Sequence, residues 1–351
     1  MTKPMINALT IENFKSIETV ELKPKRINLF VGKPNAGKSN ILEALSLFSE
    51  LSQSDLRDFI RFGKLRHLFY DGDVRKSVQV KIKAQSDDHT ATLSPVGGNS
   101  LGYLLKFNQR HTPPPSPITH LGHHYKPIEN RLQDGDTIVV SEDFSKATRC
   151  KKYAFQKIDS AKSNKGSSTL QVPYGQNIYH VLETNPSLFE EVAGYFDQYG
   201  LSLVLNQENE SLLTQKKIGH RVFQLPYSLV ADTLQRMIFY LAAVKTNADS
   251  ILIFEEPETH SFPPYISQLA TSIAESKSNQ FFIATHSPYL FNTIIEETPK
   301  EEVAVFVVDY ENHQTVAHQV PEEDYGEIID YGIDIFFNLR RAIKKDSIEA
   351  T

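Results

Sequence analysis

Gly32-Lys33-Pro34-Asn35-Ala36-Gly37-Lys38-Ser39 fits the pattern G-x-x-x-x-G-K-[ST] completely. The glycines let the backbone curl so that its N–H groups and the start of a following helix face phosphate oxygens. Lys38 then neutralises the β and γ oxygens, and the Ser39 hydroxyl reaches magnesium. A second group, Ile251-Leu252-Ile253-Phe254-Glu255-Glu256-Pro257, is an apolar run that ends in two adjacent carboxylates. Beside a phosphate loop, Glu255 is expected to hold the metal through Ser39 and water, and Glu256 to orient and polarise the attacking water. A third run, Phe281 to Ala284, ends in Thr285-His286-Ser287-Pro288. His286 there can donate to a γ-phosphate or to the attacking water. The chemistry these groups share is metal-assisted phosphoryl transfer from ATP to water, with Mg2+ as the ion.

Such residues need a sheet to align them. Leu9 and Ile11 alternate, Val20 and Leu22 follow, and Ile27-Asn28-Leu29-Phe30-Val31 reads as a buried strand, so short strands lead into the turn at Gly32. Ser39 to Leu51 places Ile41, Leu42, Leu45 and Phe48 at helical intervals without proline, which predicts a helix. Strand, glycine loop and helix are the context a phosphate site requires. Val78 to Leu93 alternates as strands do. From Asn108 to Ser168 the chain is polar and carries Pro113-Pro114-Pro115, and it reads as a partly irregular insertion. Helical spacing returns at 177–198, and Leu201 to Leu213 predicts a hairpin. The C-terminal part alternates: a helix from Leu229 to Val244, the strand 251–254, a helix from Tyr265 to Ser276, the strand 281–284, strands at 303–308 and 315–319, and a last helix from Tyr325 to Lys344. The expected fold is α/β, a largely parallel helix-covered sheet with an N-terminal antiparallel β part and an inserted subdomain. Its expected divisions are residues 1–107, 108–176 and 177–351.

Composition narrows the function classes. The chain has 351 residues, 40% of them hydrophobic, enough for a substantial core. The single cysteine, Cys150, excludes an internal disulfide framework and fits a reducing compartment. No signal-peptide pattern opens the chain and no run is apolar enough to span a bilayer, so a cytoplasmic protein without membrane attachment is expected. With 37 Lys and Arg against 43 Asp and Glu, the net charge of −6 argues against a surface that coats nucleic acid throughout.

Taken together, the three motifs resemble the ABC-type P-loop ATPases of the RecF/SMC/OLD group, and more closely the OLD-like ATPases found in bacterial defence modules. The resemblance is carried by Leu9 to Ile17, the P-loop with its trailing Asn40, Phe254-Glu255-Glu256-Pro257-Glu258-Thr259-His260 and Thr285-His286-Ser287-Pro288. It implies a head-to-tail homodimer, or a higher assembly, closing around two ATP molecules. It also implies Lys15 near the nucleotide, and Glu258 to His260 at the subunit interface. An effector protein and DNA or RNA are the implied partners. Two departures stand out. Family members complete each site with a Ser-x-Gly signature from the opposite subunit, whereas Pro226 to Arg236 here contains no glycine, leaving Ser228, Asp232 or Thr233 to cap the helix. The loop that usually supplies a metal-contacting glutamine would fall near His67 to Asp73, where none stands. The acidic nuclease domain of OLD nucleases is also absent from the sequence, so any cutting would fall to a partner.

Two alternatives stay open: a RecF-like DNA-repair ATPase, and a nucleotide-dependent scaffold that sequesters a toxin or nuclease with little turnover. A basic run, Lys146, Arg149, Lys151, Lys152, Lys157, Lys162 and Lys165 with Tyr153 and Phe155, would suit phosphate contact, although such a run is more often a solvated face. His111, His120, His123 and His124 lack acidic or thiol companions and read as loop residues rather than a metal site.

Overall fold

The structure is a computed structural model of the chain. It describes residues 5–49, 55–84, 87–95, 102–111, 128–131, 137–140, 149–157 and 167–325. Three apolar strands form the start: β1 (Ile6–Phe14), β2 (Ile17–Leu22) and β3 (Ile27–Gly32). Every residue of β3 is buried, which explains its apolar Leu29-Phe30-Val31 run, while Asn28 is satisfied by donating to the Lys25 and Phe281 carbonyls; helix α1 (Lys38–Leu45) follows the glycine loop. The expected helix to Leu51 stops sooner. A 3₁₀ turn at Ser46–Phe48 ends it, and Ser49 turns extended to bridge Cys150. A four-residue helix α2 (Leu56–Phe59), capped by Asp55, comes next.

Strands β4 (Val78–Ala84), β5 (Asp87–Pro95), β6 (Gly102–His111), β7 (Ile128–Arg131) and β8 (Thr137–Val140) join β1 and β2 in a seven-stranded sheet, order β2-β1-β4-β5-β6-β8-β7. All its pairs are antiparallel except β6 with β8. The predicted start of the insertion, Asn108, therefore falls inside β6. The chain then returns to the core: β9 (Cys150–Tyr153) pairs in parallel with the carboxylate-bearing strand. Calls on residues 112–127, including His120, His123 and His124, lie outside the described residues.

Two helices, α3 (Ile178–Thr184) and α4 (Pro186–Asp197), occupy the predicted helical stretch and are separated by Asn185-Pro186. The predicted hairpin is a three-stranded meander of β10 (Ser202–Asn206), β11 (Ser211–Ile218) and β12 (Arg221–Pro226). The remainder alternates as expected: α5 (Asp232–Thr246), β13 (Ile251–Glu255), α6 (Pro263–Glu275), β14 (Gln280–Ala284), α7 (Pro288–Glu297), β15 (Val303–Glu311) and β16 (Gln314–Gln319). The helix predicted beyond Tyr325 lies outside the described residues.

These strands build a six-stranded sheet, order β16-β15-β3-β14-β13-β9, parallel except for the edge pair β15 and β16. Alternate side chains enter two cores. Leu29, Phe254 and Ile283 pack with α3 to α7 on one face, while Phe30, Ile253 and Phe282 pack with α1 and the N-terminal strands on the other. Phe30 stacks against Phe282 and Phe306 of the flanking strands, with centroids 6.3 and 5.2 Å away. Rings of that size, fully buried, dominate the apolar term that holds β3 central. The expected α/β fold with a parallel core sheet and an antiparallel N-terminal part is the fold observed.

Candidate functional site

Because β3, β13 and β14 run parallel and adjacent, their carboxyl ends bring the P-loop, the Glu255-Glu256 pair and His286 to one edge. A cavity of about 1060 Å3 opens there, lined by Pro34, Asn35, Gly37, Lys38, Ser39 and Asn40 on one side and by Glu255, Glu256 and His286 on another.

The loop depends on two glycines. A Cβ on Gly32 would come within 2.1 Å of the Val308 carbonyl oxygen. One on Gly37, which sits at φ 104°, would meet the Thr315 hydroxyl at 2.0 Å. Thr315 belongs to β16, and its hydroxyl donates to the Ala36 carbonyl at 3.0 Å. Ser16 shares a 2.6 Å bond with that hydroxyl, and Asn40 donates to Ser16 at 2.7 Å. The direction of the chain follows: Asn40 to Ser16, Ser16 to Thr315, Thr315 to the loop carbonyl. The trailing asparagine thus ties α1 to a relay beneath the loop. Sequence reasoning missed Ser16 and Thr315, which are 299 positions apart.

Lys38 is buried, and its ammonium donates to the carbonyls of Gly32 and Lys33 at 2.8 and 2.9 Å. Its pKa is lowered by burial, against the pull of Glu256, Glu255 and Glu258. Lys33 itself is exposed, Ala36 is buried under the loop, and neither these two nor Gly32 lines the cavity. Lys15 also stays outside it. Its ammonium is held by Glu43 and by the Arg61 carbonyl at 2.6 Å, and the neighbour that faces the cavity is Ser16.

Glu255 and Ser39 line the same cavity, near enough for the Ser39 hydroxyl to stabilise the carboxylate, the juxtaposition expected of a metal pair. Burial works to raise its carboxyl, but Lys152, Ser39 and Arg61 together hold it below the usual carboxylate range. Glu256 sits at φ 45°, a strained conformation for a residue with a side chain, and its N–H donates to the Ala284 carbonyl at 2.8 Å. This kink at the strand end turns its carboxylate toward His286, whose Nε2 lies 3.5 Å from Glu256 Oε1. Burial and the Lys38 charge lower the His286 pKa and so favour the neutral ring, although the Glu256 carboxylate pulls the other way.

Glu258, which the resemblance implies at a subunit interface, makes its hydrogen bonds within the chain. It accepts from the Thr285 hydroxyl and the His286 N–H, both at 2.7 Å, and so fixes the histidine loop. Its other oxygen, Oε2, is buried without a hydrogen-bond partner. Burial raises its pKa. His260 is exposed, and its carbonyl accepts from Thr233 at 2.9 Å.

Other expectations shift. His67 and Asp71 belong with Lys15 around a separate surface pocket, away from the carboxylates. The strand that does flank β13 is β9, and just beyond its carboxyl end, after Ala154 and Phe155 of the cavity wall, stands the exposed Gln156. The signal was an apolar-aromatic tripeptide before a glutamine, hidden in the polar stretch. Nor is the basic run one patch. Lys152 is buried and turned to Glu255, Lys151 bonds Asn247 at 2.6 Å and Lys157 pairs with Asp232 at 2.5 Å. Lys146, Lys162 and Lys165 lie outside the described residues. At the start of α5, Ala231 is the N-cap and no side chain caps the helix; Thr233 reaches His260 instead, and Asp232 is engaged by Lys157.

The donors present suit a hard divalent ion: a hydroxyl and a carboxylate, with phosphates to complete the shell, is how Mg2+ is commonly bound in nucleotide sites. No helix among the described residues is long and apolar enough to cross a membrane.

Comparison with known proteins agrees with this geometry. No curated protein sequence matches the chain. Its fold is similar to an SMC head bound to the C-terminal winged-helix domain of ScpA, at 16% identity and a TM-score of 0.54, covering 92% of this chain and 99% of that one. The SMC head domain from Thermotoga maritima (15% identity, TM-score 0.46, covering 90% and 99%) and that from Pyrococcus furiosus (13%, 0.49, covering 93% and 99%) also align. Residues 5–219, more than half of the chain, match the AAA ATPase domain family. The chain belongs to that family and is an ATP-binding, ATP-hydrolysing enzyme, and its fold is similar to that of an SMC head.

Proposed function

We propose that the chain is an ATP-driven conformational switch: nucleotide binding closes a dimer, hydrolysis reopens it, and the cycle gates an effector protein or a nucleic acid. The observation that carries this reading is the meeting of Lys38, Ser39, Glu255, Glu256 and His286 at one sheet edge. The backbone from Gly32 to Asn40 cradles the phosphates, and Lys38 exchanges its own loop carbonyls for β and γ oxygens. Ser39 and Glu255 hold Mg2+, which when bound screens the charge that develops on the phosphates. Glu256 accepts a proton from the attacking water and aims it in line, while the neutral His286 ring donates to the γ-phosphate or to that water.

An SMC head carries a partner domain in the structure similar to this one, which supports an assembly role here. OLD-like action in antiviral defence is the biological setting proposed for it. A second reading, a scaffold with slow turnover, is favoured by the α5 start, where no glycine and no side-chain cap present a signature.

The test compares wild type, Lys38→Ala and Glu256→Gln for ATP hydrolysis and for mass in solution, with and without duplex DNA. Glu256→Gln is expected to bind ATP, accumulate as a larger assembly and lose about 10²- to 10⁴-fold in turnover. Turnover that survives in Glu256→Gln would show that the catalytic carboxylate is misplaced. Turnover without any change of mass would remove the dimer switch and leave only the ATPase.

A further inference from the structure

Glu255 has two oxygens, and two different cations take them. Oε1 accepts from Arg61 Nη2 at 2.8 Å. Oε2 faces Lys152 Nζ at 3.5 Å. The two cations are not equivalent. The Arg61 side chain is 68% exposed, and its Nε also reaches Glu43 Oε1 at 2.8 Å, so it can leave Glu255 for water and keep a partner. The Lys152 side chain is 6% exposed, rises from a strand paired to β13, and donates to the Phe59 carbonyl at 2.7 Å. Withdrawing that ammonium would strand a buried charge and a carbonyl, which is costly.

We propose that Lys152 is a positioning residue for the metal site, a tethered ammonium that keeps Oε2 of Glu255 occupied so that only Oε1 exchanges between Arg61 and a divalent cation. The carboxylate is thereby restricted to one free oxygen, which suits an ion that demands regular octahedral geometry and tolerates bidentate carboxylates poorly. The fixed positive charge also weakens the site for the cation, since like charges a few ångströms apart in a partly buried setting repel by more than thermal energy. Lys152 thus trades metal affinity for a single carboxylate geometry. The proposal rests on Glu255 as the metal-holding carboxylate.

The test is Mn2+ binding by the full chain with ADP, followed by electron paramagnetic resonance, beside steady-state turnover and melting temperature. Lys152→Gln keeps a donor for the Phe59 carbonyl and removes the charge; Lys152→Met removes both; Lys152→Arg keeps the charge. The Gln and Met variants are expected to bind Mn2+ about 3- to 10-fold tighter while turning over at least about 10-fold more slowly, and the Arg variant to bind within about twofold of wild type. Arg61→Gln, at an exposed side chain, removes the exchangeable competitor and is expected to tighten Mn2+ by about 3-fold or more, read at a temperature well below its melting transition because the buried Glu43 loses one partner. A merely structural lysine would lower the melting temperature and leave Mn2+ affinity alone. Affinity in Lys152→Gln within twofold of wild type, or no tightening in Arg61→Gln, overturns the proposal. Glu255→Gln separates the two levels. If it abolishes Mn2+ binding while Lys152→Gln changes nothing, only the lysine assignment fails; if it leaves Mn2+ binding intact, the metal role of Glu255 fails with it.

Discussion

Replacing Thr315 with valine keeps the shape of the side chain and removes one hydroxyl. Thr315 is fully buried and stands between the Ala36 carbonyl at 3.0 Å and Ser16 at 2.6 Å. Ser16 borders the cavity and can turn to water, so the lasting loss is one buried acceptor beneath the loop. An orphaned buried acceptor costs about 1–2 kcal/mol, which for a chain of this size lowers Tm by about 1–3 °C. The same energy, removed from the preference of the loop for its cradle shape, weakens ATP binding by up to about 30-fold. Differential scanning fluorimetry and a fluorescent-nucleotide titration measure the two effects. Because the hydroxyls act in series, Ser16→Ala on top of Thr315→Val is expected to add less than it costs alone. Unchanged Tm and nucleotide affinity in Thr315→Val, or full additivity in the double variant, would refute the relay as a support of the loop.

Gly37→Ala places a methyl 2.0 Å from the same buried hydroxyl at φ 104°. It is expected to lower Tm by several degrees and to reduce nucleotide binding more than tenfold, read in the same two assays. Glu258→Gln tests a pH effect. Burial raises the folded-state pKa of Glu258, so its contribution to stability is full below the unfolded value near 4.5 and is lost as pH rises through the raised folded value. The variant is therefore expected to melt higher than wild type at pH 8 and to lose that advantage toward pH 4.5. An equal gap at both pH values counts against a strained Glu258 carboxylate.

The strands that carry the chemistry were legible because they are apolar without interruption. Burial on both faces of a parallel sheet demands that pattern, and Leu29 to Val31, Ile251 to Phe254 and Phe281 to Ala284 all show it. Strand β9 was hidden by its lysines: Lys152 reads as solvated in sequence, yet it is spent on Glu255 and the Phe59 carbonyl. Glu43 misleads in the same way. It lies in an amphipathic helix as a surface acid would, but is fully buried between Lys15 and Arg61. Pairings such as these, and the Ser16–Thr315 contact, depend on tertiary placement, which no local periodicity encodes. The P-loop, both carboxylates and His286 were legible since motif and strand end coincide; Arg61, Lys152 and Gln156 were not.

The order of the core strands also sets a timetable for synthesis. β3 is made within the first tenth of the chain, yet its two neighbours in the sheet are β14, beginning at Gln280, and β15, beginning at Val303. At about 5–20 residues per second, the ribosome takes on the order of tens of seconds to supply them. For that interval an apolar strand with two unpaired edges is outside the tunnel, a template for association with other nascent chains. The loop that binds phosphate cannot settle onto Val308 and Thr315 until the last third of the protein has emerged. Slower translation over residues 33–280 would lengthen that exposure.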